Sequence, residues 1–344
     1  MKFLSFPTLV QREIFDTFDL SELLILSFCS KKLKYLIQAI QKHRLNKVGT
    51  VKYSLLSLVY IIVNAISHDS DKMLNLFIIS DDDSEILPME VFGMHRDVPI
   101  CLDGPSHIYA YEKEQTGVII EGIHTFLYQF FGPSPDYRVC TNNSQPPPNL
   151  KNINSSAIIL PENITAEELE NCFTASPKQE YIVINKETTY KLSPNSVIYD
   201  TDYLDLLRCD VDGEDVLFRF NGKSLTFSDS NLQNSTIIRF LNTWKSDRGF
   251  QNLKLLWIDV SPELFNFAGI MESVDIKQSD ESFTLKWKQR STTDARYRWN
   301  TADFSHHLMR SSDGVGASMT ITQNHFYFVV WSEIENSEIM NHIK

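Results

Sequence analysis

Apolar positions recur at helical spacing from the start of the chain. Val10, Ile14 and Phe18 fall four residues apart and define one face of a helix. Pro7 suits the first turn of that helix, where a missing N–H costs nothing. Asp19, followed three residues later by Glu22, reads as a capping box that opens a second helix, on which Leu20, Leu23, Leu24 and Phe28 share a side. Ser30 has the chemistry of a cap for a third helix, where Leu33, Leu36, Ile37 and Ile40 follow the i, i+3, i+4, i+7 pattern. Three helices in so few residues cannot bury all of these side chains alone, and units this small depend on a metal, disulfides or a partner. Cys29 is the one cysteine here and no ligand cluster accompanies it, so a partner surface is the expected cover for Phe6, Leu9, Ile14, Phe15 and Leu23. The competing reading packs the same helices on the rest of the chain.

Past residues 41–52, which read as an exit from the helices, the pattern changes. Between 53 and 132 short apolar runs alternate with polar breaks: Tyr53 to Ile66 as a buried strand or core helix, then Leu74 to Ile79 and Val118 to Ile120, with a helix from Gly122 to Phe131. The run Asp81-Asp82-Asp83-Ser84-Glu85 reads as a solvated turn rather than a cation site. Gly132-Pro133-Ser134-Pro135 and Pro146-Pro147-Pro148-Asn149 bracket a polar stretch, so residues 133–155 are expected to form a stiff linker. Beyond it, strand, turn, helix and strand follow in order at 157–160, 166–173 and 181–184, and again at 225–227, 235–244 and 253–258. Residues 197–199, 203–207 and 216–218 repeat the theme loosely. A spacing of about 30 residues predicts an irregular α/β stack with leucine-rich-repeat logic, each unit burying its neighbour's apolar face. Segments 274–277, 283–287, 319–321 and 326–331 alternate like antiparallel strands.

Charge divides the chain. Residues 1–52 hold nine Lys/Arg against four Asp/Glu, a net of +5 within a chain of −12, which leaves −17 for residues 53–344. A basic three-helix unit admits a DNA-binding reading. Against it, the third helix offers lysines but few base-reading residues, and the acidic remainder makes a poor nucleic-acid surface. The five cysteines (29, 101, 140, 172 and 209) are odd in number and scattered, the usage of a reducing compartment. Met1-Lys2 leads straight into the amphipathic helices, so no secretory leader is expected, and the most apolar run is too short to span a bilayer. The expected location is intracellular, cytoplasmic or nuclear, with no membrane contact.

Phe6-Pro7, Ile14-Phe15, Leu20, Leu23-Leu24, Ser27 and Ser30-Lys31-Lys32 stand in the register of an F-box, which the first 45 residues resemble. Leu9 replaces the usual acidic residue, Leu33 the usual tryptophan, and Ser30 the usual cysteine, as in the divergent F-boxes of the large nematode families. Residues 225–232, 238–244 and 253–258 are similar to the F-box-associated domain of type 2, a strand with an Asn-Leu turn, a helix ending near a tryptophan and a Leu-rich strand. The resemblance implies a substrate-receptor subunit of a Skp–cullin–F-box ubiquitin ligase, partnered by a Skp-family adaptor, through it by a cullin, and by an unknown target protein. It assigns the adaptor-binding face to Phe6, Pro7, Leu9, Ile14, Phe15 and Phe18, with Leu20, Leu23, Leu24, Phe28 and Leu33. An interaction module that recruits no ligase is the alternative.

The expected organisation is an F-box over 1–45, an α/β region over 46–132, the linker 133–155, an F-box-associated domain over 156–332 (core 195–260) with its β tail, and a C-terminal tail over 333–344. The fold class is α+β or α/β: a three-helix F-box, an irregular α/β domain with degenerate strand-turn-helix-strand units, and an antiparallel β tail. No Gly-rich phosphate loop and no G-x-S-x-G occurs. His306-His307 lacks a third ligand at helical spacing, Asp210 to Asp215 makes a poor calcium loop, and no base is seen for Cys172. No catalytic residue, metal or cofactor is expected. All five tryptophans lie in the last third, and Trp299, with Arg290, Arg296 and Arg298, is the candidate target-recognition loop.

Overall fold

The computed structural model describes residues 3–55, 59–65, 72–79, 86–89, 96–103, 106–110, 116–141, 148–160, 164–185, 192–207, 212–228, 232–259, 265–290, 297–321, 324–336 and 339. The chain divides into two compact units, Met1–Ser155 and Ser156–Lys344. The acidic run at 81–85 lies outside the described residues.

The first unit opens with a 3₁₀ turn at Phe3–Ser5 and helices α1 (Thr8–Asp16), α2 (Leu20–Cys29), α3 (Lys31–Ile40) and α4 (Lys42–Leu45). Local chemistry sets their boundaries. Pro7 stands at the N-cap of α1. The Asp19 carboxylate accepts from the Glu22 N–H at 2.8 Å while Glu22 accepts from the Asp19 N–H at 2.8 Å, a complete capping box for α2. Ser30 Oγ accepts from the Leu33 N–H at 3.1 Å and starts α3.

Strands β1 (Val48–Leu55), β2 (Val59–Ala65), β3 (Lys72–Ile79), β4 (Ile86–Met89), β5 (Arg96–Asp103) and β6 (Ser106–Ala110) follow, then helix α5 (Thr116–Phe131) and strand β7 (Asp136–Thr141). Their order in the sheet is β7-β1-β2-β3-β6-β5-β4. Val118 to Ile120, an apolar run in the sequence, belongs to the start of α5. The stretch expected as a linker is folded over part of its length. Asp136–Thr141 pairs in parallel with β1, and Leu150 and Ile153 are buried in the core of this unit. Proline brackets mark where a chain cannot continue a helix, and they do not exclude a short parallel strand between them.

The second unit holds β8 (Ser155–Ile159), α6 (Ala166–Thr174), β9 (Tyr181–Asn185), a 3₁₀ turn (Val197–Asp200), β10 (Tyr203–Leu207), α7 (Gly213–Arg219), β11 (Ser224–Ser228), α8 (Asn234–Lys245) and β12 (Leu255–Asp259). Strands β9 to β12 are parallel, each beside its predecessor, in the register Ile182, Leu204, Leu225, Leu256. Those side chains and Ile184, Leu206, Phe227 and Ile258 share one core with Phe173, Leu217, Phe240 and Trp244 of the helices. This is the strand-helix stack expected from the sequence. Its strands start at 155, 181, 203, 224 and 255, so most repeats are shorter than 30 residues. Residues 216–218 form part of helix α7, and the second repeat replaces its helix by the 3₁₀ turn.

Helix α9 (Phe267–Val274) leads into β13 (Lys277–Arg290), β14 (Tyr297–Met309), β15 (Gly316–Ile321) and β16 (His325–Val330). The tail is antiparallel in the order β13-β14-β15-β16, with β16 antiparallel to β12. Val274, expected in the first tail strand, ends α9, and Asp275 turns the chain at φ 54°.

Candidate functional site

The N-terminal helices present one surface to solvent and another to the strands behind them. On α1 the inward residues are Gln11 and Phe15, with Ile14 half-buried, as is Phe18 just past its end. Leu9 is 67% exposed, Val10 41% and Leu4, in the turn before α1, 50%. Pro7 is exposed beside them, while Phe6, Leu20 and Leu33 are half-buried. The expected adaptor-binding set therefore splits. Phe15, Leu23, Leu24 and Phe28 are core residues, none more than 9% exposed, and cannot form a contact face in this conformation. Leu4 and Tyr35, the latter 67% exposed on α3, join the outward apolar residues although their spacing sets them apart from the helical stripes.

Contacts to α5 hold Phe28 and one side of α3 inward. Phe28 packs on Phe126 with ring centroids 4.8 Å apart, and the Lys34 ammonium lies 4.1 Å from the centre of the same ring. Lys34 Nζ donates to Gln129 Oε1 at 3.0 Å, and burial lowers its pKa. Gln38 Nε2 donates to the carbonyls of Gln129 at 2.6 Å and Phe130 at 3.1 Å, satisfying the end of α5. Arg44 does the same for α1, reaching the carbonyls of Phe15 at 3.1 Å and Phe18 at 2.7 Å, and the buried Gln41 donates to Asp16 at 2.7 Å. Lys34 on α3 and Arg44 on α4 are thus committed inside the fold, which removes two of the cations that the basic N-terminal segment would bring to DNA.

In the second unit, Arg290, Arg298 and Trp299 of the expected recognition loop lie on strands. Arg290 pairs with Tyr297, Gln289 with Arg298 and Lys288 with Trp299, while Arg296 lies outside the described residues. Of the other tryptophans, Trp244, Trp287 and Trp331 are buried, and Trp257 is half-buried. Trp257 belongs to a cluster that the sequence does not reveal. Its indole N–H donates to Asp259 Oδ1 at 3.0 Å, and the His325 Nδ1–H donates to the same oxygen at 2.6 Å. Tyr327 lies against Trp257 at 5.4 Å between ring centroids. Asp259 and His325 face each other across the β12–β16 pairing, a contact between residues far apart in sequence.

Other reactive groups are engaged or quiet. His307 is buried between Ser318 at 2.9 Å and Ser279 at 3.2 Å, and burial pushes its pKa down to about 4. Burial, with Glu168 beside it, pushes the Cys172 thiol up to about 12, and burial also raises Cys140, the opposite of an activated nucleophile. Asp205 is fully buried, accepts from the Tyr181 hydroxyl at 2.6 Å and is raised to about 6 by burial. Asp212 caps α7 through the Asp215 N–H at 3.2 Å, and residues 208–211 lie outside the described residues. No group of three metal-ligating side chains occurs among the described residues, nor does any helix long and apolar enough to cross a membrane.

Residues 3–45 match the family model of the F-box domain. This span covers the 3₁₀ turn and helices α1 to α4. No match is found among curated proteins or among solved structures. F-box domains bind Skp-family adaptors within cullin–RING ligases, and proteins that carry them are generally non-catalytic adaptors.

Proposed function

We propose that this chain, with an F-box domain at its N terminus, is a substrate-receptor subunit of a Skp–cullin–F-box ubiquitin ligase. The observation that carries the proposal is the outward apolar surface of that domain. Leu4, Leu9 and Val10 stand exposed side by side at the start of the domain, with Tyr35 exposed on α3, while Phe15, Leu23, Leu24 and Phe28 are packed. Apolar side chains gathered on an otherwise packed surface mark an interaction site. The adaptor covers them, and the second unit, an F-box-associated domain, holds the target. The chain contributes proximity: it raises the local concentration of target lysines near the ubiquitin-charged conjugating enzyme and supplies no acid, base or nucleophile.

The test is co-expression of the full chain with a Skp-family adaptor, with and without the double substitution Leu9→Asp, Val10→Asp. The wild-type chain is expected to co-purify with the adaptor. The variant is expected to lose it while keeping the wild-type melting temperature, because both side chains are exposed. Adaptor retention by the variant, or a folded wild-type chain that captures no adaptor, overturns the proposal.

A further inference from the structure

Residues on the parallel strands of the second unit alternate between two faces. Leu204, Leu225 and Leu256 meet the helices. Their neighbours Asp205, Thr226 and Trp257 fall in register with one another on the other face, and Tyr327 of β16 continues the row beside Trp257. The sheet changes from parallel to antiparallel between β12 and β16. Asp259 and His325 pair at that junction, next to the Trp257–Tyr327 pair.

The geometry around Asp259 is asymmetric. Oδ1 takes both donors, from His325 at 2.6 Å and from Trp257 at 3.0 Å. Oδ2 has no partner among the described residues. The side chain of Asp259 is 28% exposed and that of His325 37%, so the group is reachable from solvent. The rings of Trp257 and Tyr327, both half-buried, stand 5.4 Å apart and tilted by 36°, and Trp287 flanks Tyr327 at 5.6 Å. Two donors thus orient a carboxylate whose second oxygen meets no partner among the described residues, beside aromatic rings.

We infer that Trp257, Asp259, His325 and Tyr327 receive a lysine or arginine side chain from an extended segment of the target protein. The inference rests on the receptor reading for calling that segment a target. The chemistry selects a cation. An open carboxylate oxygen attracts positive charge, the negative faces of Trp and Tyr rings add to it, and the chain as a whole carries −12. A bare metal ion is a poor fit, since a single carboxylate falls short of the six or more oxygens a hard cation takes. An anionic ligand would meet the Asp259 charge directly. Arginine or lysine on a peptide can place its aliphatic stem along the rings and its charged head at Oδ2.

The probe is a fluorescent peptide of alternating lysine and serine, measured by anisotropy against the full chain, alone and mixed with a Skp-family adaptor. Asp259→Asn, which keeps the side-chain shape, is expected to weaken binding about five- to tenfold, and Trp257→Phe, which removes one donor and shrinks the ring, less than that. Glu167→Gln removes the same charge from the exposed surface of α6 and is expected to leave binding unchanged. A peptide with acetylated lysines is expected not to bind. Equal loss in Glu167→Gln and Asp259→Asn, or equal binding of the acetylated peptide, overturns the inference in favour of diffuse charge attraction. Adaptor capture is scored separately. Peptide binding that depends on Asp259 in a chain that captures no adaptor defeats the receptor reading alone. A chain that captures adaptor but binds no peptide defeats this inference alone.

Discussion

The ammonium of Lys34 on α3 donates to Gln129 Oε1 of α5 at 3.0 Å while lying over the ring of Phe126, so a residue of the basic helix is spent holding the F-box helices to the body of the first unit. A cation taken from water into such a site costs free energy that its contacts only partly return. Lys34→Met keeps the stem against Phe126 and is expected to unfold within about 1 kcal/mol of wild type, or to be more stable. Lys34→Glu places the wrong charge over the ring face and is expected to lower the melting temperature sharply. Thermal denaturation of the three proteins checks both outcomes.

Leu23 and Leu9 make a matched pair for separating fold from surface. Leu23 is fully buried and Leu9 is 67% exposed, though both occupy F-box motif positions. Leu23→Asp is expected to destabilise the first unit by about 4 kcal/mol or more, because an uncompensated charge enters the core. Leu9→Asp is expected to leave stability within about 0.5 kcal/mol, as at other surface sites. Urea denaturation of each variant decides. Equal stability of the two would contradict the inward placement of α2.

Asp205 and His307 are expected to pull the acid stability of the second unit in opposite directions. Asp205 is raised from 3.8 to about 6 in the fold. Above pH 6 the fold holds a buried charge it disfavours, and that cost fades as the pH falls from 6 to 3.8. His307 is lowered from 6.5 to about 4, so its contribution is full above 6.5 and is lost as the pH falls toward 4. Asp205→Asn is expected to stabilise by about 1–2 kcal/mol at pH 7.5, with a gain that shrinks toward pH 4. His307→Gln is expected to flatten the decline between pH 6.5 and 4. Denaturation midpoints across that range, for wild type and both variants, give the slopes.

Gly316 opens β15 against the indole of Trp331, and a Cβ built there would lie 2.0 Å from two of its ring carbons. The ring itself is fixed, buried and donating its N–H to Ser318 Oγ at 2.7 Å. Gly316→Ala is expected to cost about 2 kcal/mol or more through overpacking. Gly117→Ala, where a Cβ meets nothing within 4 Å, is expected to be neutral or mildly stabilising within α5. Melting temperatures of the two variants test the contrast.

Features governed by neighbouring residues were legible in the sequence. The Asp19–Glu22 capping box, the Ser30 cap and the apolar spacing of α2 and α3 are such features. So is the strand-helix alternation of β8 to β12, which repeats at short range. The direction each helix faces was not, because it depends on partners far along the chain. Lys34 meets Gln129 across 95 residues, and periodicity on α1 cannot tell that Phe15 turns inward and Leu9 outward. Strand β7 escaped for the same reason, since its reason to exist is β1 and not its own composition. The Trp257–Asp259–His325 cluster joins strands separated by α9 and three further strands, and nothing near Trp257 announces His325.

The buried side chains Phe15, Leu23 and Ile37 share one continuous apolar cluster with Val51 and Tyr53 of β1, Ile123 and Leu127 of α5, and Tyr137 of β7. The F-box helices are therefore not a detachable cassette. Severed after residue 45, they would carry an apolar underside into water, and grafting them onto another body would require a host that reproduces Phe126 and the carbonyl end of α5. The compact unit that contains these helices runs over residues 1–155.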